Sequence, residues 1–418
     1  MITTFYPPYN FGGDGIFIER LSQELVNRGH HVEVIHCVDS YRILADHLPD
    51  TDSLNHSKVV VHRLKSPFGF LSPLATQLTG RPLFKSKSIK QILNKGFDVI
   101  NYHNISLVGG PKVLQYGHGL KIYTLHEYWL VCPTHTLFKF KREACRSKSC
   151  LLCGLVYKRP PQLWRYTGLI KSSVKHLNAV ISPDLFTIDM HKSMGLDLPF
   201  IHLPHFVPQE KSPGIASQEH MGDSNDGRAL NEPATDSPYF LFVGRLEKLK
   251  GLQSVIPLFN RFRKAKLLIA GTGDYGRKLK KIAHRNENVV FLGFQSGANL
   301  QALYRNARAI IVPSINYEVA PPLCIMEAFQ YKTPAIVRKL GSMPEIIDDS
   351  DGGLVYENDA ELLSALERLS ENTALRDELG HNGYQAFKEK WTADAYLDRY
   401  FALIEDLMSN PKKKPANA

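Results

Sequence analysis

The segment from Tyr239 to Leu252, YFLFVGRLEKLKGL, sets two cations beside two glycines. An apolar run that reads as a buried strand meets Gly244 and Arg245. Five residues on, Lys250 stands beside Gly251 at the expected start of a helix. Glycine permits a tight exit from the strand, and fixed cations with helix-end amides suit a diphosphate. A departing nucleoside diphosphate develops negative charge that Arg245 and Lys250 would meet. Two surface cations beside a turn would leave the same local pattern. The functional reading gains from two further strand-to-glycine turns, LLIAGTG with Gly271 and VFLG ending at Gly293.

The stretch from Ile310 to Ile347 carries a second constellation, IIVPSINYEVAPPLCIMEAFQYKTPAIVRKLGSMPEII. A strand is expected to end at Pro313-Ser314, a loop carries Glu318, and Glu327 falls on a helix among Ile325, Met326, Ala328 and Phe329. A carboxylate on an apolar helix face is costly unless it finds donors, and ribose hydroxyls would serve. Glu318, on the loop, is placed to contact a transferred sugar. A helix-surface or capping carboxylate is the plainer alternative for Glu327.

In the N-terminal half, His126 follows the strand-like run Ile122–Leu125, at the strand end where open α/β sheets bind ligands. His103 and Asn104 end another strand. Four cysteines, Cys132, Cys145, Cys150 and Cys153, are spaced C-x12-C-x4-C-x2-C, apart from Cys37 and Cys324. Clustered cysteines in a reducing compartment suit a metal better than a disulfide. Ten nearby cations between Lys139 and Lys175 would favour thiolates. A structural zinc, unligated thiols, disulfides and an iron–sulfur cluster all remain open from spacing alone.

These residues need a scaffold. The chain of 418 residues, 43% apolar and 22% charged, is long enough for two α/β domains. After Gly12-Gly13-Asp14-Gly15, residues Ile16 to Arg28 read as a helix whose apolar face holds Ile16, Ile18, Leu21, Leu25 and Val26. Strand-like runs follow at 31–37, 59–64, 99–103, 122–125 and 179–182. The pattern restarts at 239–243, 266–270, 289–292, 309–312, 335–337 and 353–356, with helices at 360–369, 372–390 and 393–408. Strands alternating with helices predict two doubly wound, Rossmann-like parallel sheets whose strand ends face a cleft. The first sheet should open with an apolar strand, yet only Met1-Ile2-Thr3-Thr4 precedes Tyr6-Pro7-Pro8. Either that strand is vestigial or the chain starts downstream of its natural beginning.

The boundaries expected are an acceptor-side domain at 1–207 with a basic cysteine segment at 132–175, and a flexible linker or disordered insertion at 208–238. A nucleotide-sugar domain at 239–391 and a C-terminal helix and tail at 392–418, crossing back to the first domain, complete the chain. The linker is rich in Ser, Asp, Asn, Gly and Pro and too poor in apolar residues to offset its ordering entropy. The net charge of +10 is uneven. Residues 1–207 hold 24 Lys/Arg against 14 Asp/Glu, and the rest 27 against 27. No apolar run approaches the ~18–20 residues of a membrane span, and no basic-then-apolar leader opens the chain. A cytoplasmic protein is expected, with peripheral contact at the inner face of a membrane through its basic half. No nucleic acid is expected, since Phe138, Phe140, Tyr157, Trp164 and Tyr166 form no recognised stacking motif.

Together the GRL-x3-KG arrangement, the PS-x3-E loop, the EAF helix and the TP-x-I-V strand resemble the family-4 retaining glycosyltransferases of GT-B fold. The likeness covers the chain outside 208–238. It implies that Arg245 and Lys250 contact the donor diphosphate, that Glu327 holds the ribose, and that Glu318 lies near the sugar. It further implies that His126 contacts the transferring sugar and that Gly12 and Gly13 form a loop approaching the phosphates, alongside Gly244 and Gly271. In the family seven residues usually separate the two glutamates, whereas eight separate Glu318 from Glu327, so Glu318 needs a one-residue bulge. Pro321 and Pro322 lack N–H groups, leaving the amides of Leu323 and Cys324 as donors. The implied reaction moves a hexose from a nucleoside-diphosphate sugar to a carbohydrate or lipid-linked hydroxyl in polysaccharide or glycolipid assembly. No catalytic metal is needed, because fixed cations serve the leaving group. A sugar-nucleotide epimerase or hydrolase, or a non-catalytic scaffold, are the alternatives.

Overall fold

The computed structural model describes residues 1–45, 49, 58–209 and 237–410. Of the segment expected as a linker, 210–236 lies outside the described residues, as does the tail from 411. The strands in chain order are β1 (Glu33–Cys37), β2 (Val60–Leu64), β3 (Val99–Tyr102), β4 (Leu120–Thr124), β5 (Phe138–Lys139), β6 (Glu143–Ala144) and β7 (Ala179–Ser182). They continue with β8 (Phe200–His202), β9 (Tyr239–Val243), β10 (Lys266–Ala270), β11 (Val289–Gly293), β12 (Ile310–Val312), β13 (Ala335–Arg338) and β14 (Gly353–Tyr356).

The chain divides into two compact units. The first comprises Met1–His205, the short segment Asn316–Pro321 and the chain from Tyr396; the second comprises Phe206–Ile315 and Pro322–Ala395. Asn316–Pro321, expected inside the 239–391 domain, therefore groups with the first unit.

In the second unit, six parallel strands run in the order β11-β10-β9-β12-β13-β14. Phe240 and Phe242 of β9 enter one apolar cluster with Leu267 and Ile269 of β10. Tyr239 and Leu241 enter the other with Leu268 and Ala270. A sheet covered on both faces needs apolar side chains at both phases of the pleat, so its strands read as unbroken apolar runs. Each fully buried phenylalanine, such as Phe240 or Phe259, contributes about 1.5–3 kcal/mol of transfer free energy.

In the first unit, β3-β4-β7-β8 pair in parallel and β1 pairs with β2. Ile2 joins the two groups by parallel bridges to Ile35 and Tyr102. Its amide donates to Asn101 O at 2.9 Å, and that of Thr3 to Ile35 O at 3.0 Å. The opening strand is thus vestigial, one of the two alternatives left by the sequence, and is reduced to the bridging residue Ile2. The following helix, Gly13–Asn27, buries Gly15, Phe17, Ile18, Leu21, Ser22 and Leu25. Phe17, rather than Ile16, faces the core. The C-terminal helix spans Ala393–Ser409. Within the first unit, Asn101 Nδ2 donates to the Tyr400 hydroxyl at 3.2 Å and Arg399 to His202 O at 3.2 Å. Tyr396 meets the Phe17 ring edge-on.

Candidate active site

The parallel sheet of the second unit brings the carboxyl ends of β9, β10, β11 and β12 to one edge, and the diphosphate candidates sit there. Gly244 N donates to Ala270 O at 3.0 Å and Gly271 N to Gly293 O at 2.7 Å, which stitches three strand exits together. A Cβ on Gly271, at φ +145, would lie 1.9 Å from Gly244 O. Gly251, at φ +79, is similarly pressed against Pro313 O, 1.8 Å from where its Cβ would be. No side chain fits either place, so the backbones of the β9, β10 and β12 exits approach as closely as glycine allows.

Arg245 leaves this junction 55% exposed, with Nη1 2.8 Å from Oε1 of Glu247. Lys250 ends the short helical turn Lys248–Lys250, directly before Gly251. The local pairing of Arg245 with Glu247 is an addition from the structure, and at this exposure such a pair is weak.

Leu323 and Cys324 open the helix Leu323–Gln330, with Pro322 at its N-cap. First-turn amides have no intrahelical acceptor and point out of the helix end. Glu327 lies one turn further, partly exposed, among buried Ile325, Met326, Ala328 and Phe329. Its Oε2 accepts a hydrogen bond from the Tyr304 hydroxyl at 2.9 Å. Tyr304 is 2% exposed, stacked 6.1 Å from the Tyr331 ring. The sequence reading missed Tyr304, whose spacing from Glu327 carries no periodic signal.

Within the first unit, His126 is the centre of a chain of three imidazoles. His103 Nδ1 lies 2.9 Å from His126 Nε2, and His205 Nε2 lies 3.2 Å from His126 Nδ1. Phe17 stacks on His205 at 3.9 Å and tilts against His126 at 5.5 Å. Burial pushes the His126 imidazolium down to about 4, with the Asp14 carboxylate opposing the shift. His103 and His205 are held well below the usual histidine range, by burial first and by His126 second. All three are neutral at pH 7, and both nitrogens of His126 are engaged. Asn104, the weaker acceptor-side candidate beside His103, uses its side chain to accept from Ser106 Oγ at 2.8 Å.

Gly12 and Gly13 lie at the entry of the helix Gly13–Asn27, Gly12 in extended conformation at its N-cap. Asn10 closes the turn, donating from Nδ2 to Gly12 O at 2.7 Å. Glu318 belongs to the segment that groups with the first unit. Its carbonyl accepts from the Tyr128 hydroxyl at 3.4 Å, and the neighbouring Tyr317 ring lies 4.8 Å from Phe186. Ala320 takes a left-handed φ of +64 and donates its amide to Asp184 Oδ2 at 2.8 Å. The left-handed residue falls in the interval where the family spacing has one residue fewer. The same carboxylate caps the helix Leu185–Ser193 by accepting from Thr187 N at 2.6 Å. Asp184 was not singled out from sequence, although Ser-Pro-Asp after a strand is a recognisable helix-start signal.

The four clustered cysteines carry free thiols. All four line one small cavity with Pro133, Thr134, Phe138, Lys139 and Ser149. Burial, then the neighbouring sulfurs led by Cys132, pushes the thiols of Cys145 and Cys150 up. Cys37 and Cys324 take no part.

The chain is similar to known glycosyltransferases. Residues 11–211 match the model described as Glycosyltransferase Family 4, and residues 224–386 the model described as Glycosyl transferases group 1. An uncharacterised glycosyltransferase of Methanocaldococcus jannaschii is 32% identical over 419 residues, covering 94% of this chain and 94% of its own. The O-antigen chain mannosyltransferase C of Escherichia coli is 26% identical over 47% of this chain and 54% of its own. Among solved structures, the sucrose-phosphate synthase of Thermosynechococcus elongatus superposes with a TM-score of 0.71 at 19% identity, covering 98% of both chains. The Anabaena protein HepE, in complex with UDP-glucose, gives 0.62 at 14% identity, covering 98% of this chain and 99% of its own. The chain belongs to the family-4 glycosyltransferases and has the GT-B fold.

Proposed function

We propose that the chain transfers a hexose, with retention at the anomeric carbon, from a nucleoside-diphosphate sugar to a hydroxyl on a carbohydrate or lipid-linked acceptor. The observation that carries this reading is the second unit's sheet edge. Three glycine-closed strand exits lie beside Arg245 and Lys250, and the Glu327 carboxylate is held by Tyr304. Glu327 accepts from the ribose hydroxyls, and the diphosphate takes the two cations with the amides of Leu323 and Cys324. HepE, solved with UDP-glucose, supports a nucleotide-sugar donor.

In the proposed reaction the acceptor oxygen forms a bond to the anomeric carbon as the bond from that carbon to the β-phosphate oxygen breaks. The acceptor proton passes to a phosphate oxygen, and nucleoside diphosphate leaves. Arg245 and Lys250 stabilise the charge on that leaving group, so no divalent ion is assigned to it. His126 contributes as a neutral, fixed ring beside the sugar, not as a base. Glu318 is assigned to the sugar on family resemblance alone.

A lipid-linked acceptor at an anionic membrane surface fits the first unit. No helix among the described residues is long and apolar enough to cross a membrane. Phe68, Leu83, Phe84 and Tyr166 are exposed, and an open depression of about 680 Å³ is lined by Leu83 and Trp164 together with Arg81. Apolar side chains among cations are suited to headgroups and the outermost acyl carbons. Cosedimentation with vesicles containing anionic lipid, compared with neutral vesicles, tests that part.

Thermal shifts against UDP-, GDP- and ADP-sugars test the donor assignment, because a ligand of the native state raises the melting temperature. One nucleotide class should stabilise the protein and the others should not. Product analysis with and without acceptor then separates transfer from hydrolysis or epimerisation. A protein stabilised by none of the nucleotides would be a scaffold.

A further inference from the structure

We propose that Cys132, Cys145, Cys150 and Cys153 bind a single structural zinc ion that holds the segment 132–159 in shape. Four cysteines far apart along this segment line one cavity of about 20 Å³. That volume is about the space of one water molecule. It suits one ion. Four thiolates select a soft or borderline cation, and zinc accepts them in tetrahedral geometry without redox chemistry.

The segment lacks the ordinary means of holding itself. Its regular structure is the two-residue pair β5 and β6 and the helix Cys150–Val156. Of that helix only Cys153 is buried, while Leu151, Leu152, Leu155 and Val156 are exposed. The helix is therefore anchored through its sulfurs, not through an apolar face. The backbone is also strained. His135, Leu137, Phe140, Lys141 and Lys158 all adopt φ between +47 and +74, five of the nine left-handed non-glycine residues among those described. Strain of this kind persists where surrounding bonds over-determine the conformation, and a tetrahedral ion supplies four.

The surroundings of the sulfurs are those of a metal site. Phe140 N donates to Cys153 Sγ at 3.4 Å, and Thr134 Oγ1 lies 3.2 Å from Cys132 Sγ. Outer donors of this sort orient ligating sulfurs and temper their charge. Four thiolates around one zinc carry a net charge of −2. Lys139 lines the cavity, and Lys148 and Arg165 act on Cys150 from close by. Arg165 is itself fixed, donating to Trp129 O at 2.8 Å and to Leu130 O at 3.3 Å. Among the described residues no three metal-ligating side chains already stand at coordination spacing. Binding thus draws the sulfurs in to about 2.3 Å from the ion and releases the thiol protons to solvent.

The test uses the full chain, produced in zinc-containing medium and purified without chelator. Plasma mass spectrometry should find close to one zinc per chain, released by a thiol-specific mercurial. Cys153→Ser and Cys145→Ser should each bring the content below ~0.2 per chain. Because a variant can fail to fold, the wild-type protein is also stripped, kept reduced and titrated with Co²⁺. Tetrathiolate-to-cobalt charge-transfer absorption saturating at one equivalent supports the site. Wild-type zinc below ~0.2 per chain with no such absorption overturns it. So does a disulfide between any two of the four cysteines in protein handled anaerobically.

Discussion

The Tyr304 hydroxyl donates to Glu327 Oε2 at 2.9 Å from a ring that is itself 2% exposed. A buried phenol stacked on Tyr331 gives the carboxylate a fixed donor. Tyr304→Phe removes the donor without removing the ring. A hydrogen bond to a charged group is worth about 1.5–3 kcal/mol. The variant should therefore raise the donor KM by roughly tenfold or more while its melting temperature moves little. Steady-state kinetics with saturating acceptor checks this. An unchanged donor KM would remove Tyr304 from the binding account.

Arg245 is paired with Glu247, both side chains well exposed at 55% and 38%. A diphosphate competes with Glu247 for that guanidinium. Glu247→Gln should therefore tighten the donor by a few-fold at most, as an exposed pair is worth less than about 1 kcal/mol. Arg245→Ala should lower kcat by ~10²–10³. Opposite signs for the two variants, read from kcat and KM, are the expected signature. A wild-type rate in Arg245→Ala would refute the donor assignment.

What could be read from sequence was local, and what could not was long-range. The strands of the second unit were legible because a sheet buried on both faces is written as apolar runs. Phe240 and Leu241 point to opposite clusters yet are equally apolar. The glycine turns and Glu327 were legible for a similar reason, each being odd within its own element. The opening strand was legible only as a vestigial alternative, since Ile2 acts by pairing with two strands distant in sequence. The amphipathic phase of the first helix was not legible, where Phe17 is buried because it stacks on His205. The partners that fix the candidate site lie 23 residues away for Tyr304, 79 for His205 and 136 for Asp184. Residue type alone marks none of them. Spacing did mark the cysteines, and the fold adds that the four share one cavity.

Asp184 is 1% exposed and accepts from Thr187 N, Thr187 Oγ1 and Ala320 N. Asp184→Ala leaves those donors unsatisfied and uncaps a helix, each lost partner costing about 1–3 kcal/mol. The variant should melt several degrees lower, and the segment bearing Glu318 should exchange its amides faster. Asp184→Asn, which keeps a cap oxygen, should lose less. Hydrogen exchange at Ala320 indistinguishable from wild type in Asp184→Ala would sink the anchoring role.

Acid should destabilise the first unit ahead of the second. Burial pushes His126 and His191 down to about 4, and burial with Arg63 pushes His36 down to about 3. Burial and neighbouring histidines hold His103 and His205 well below their ordinary value of 6.5. All five belong to the first unit. In each case the unfolded chain takes up a proton before the folded one. The stability conferred by the neutral ring is therefore complete above about pH 6.5 and is lost as pH falls toward 4, at up to about 1.4 kcal/mol per unit for each histidine. Trp129 and Trp164 report on this unit, and Trp391 on the other. In a Trp391→Phe background, the guanidinium midpoint read by fluorescence should fall steadily from pH 7.5 to pH 5. A midpoint that stays constant over that range would mean the imidazole chain is open to water and able to protonate in the folded state.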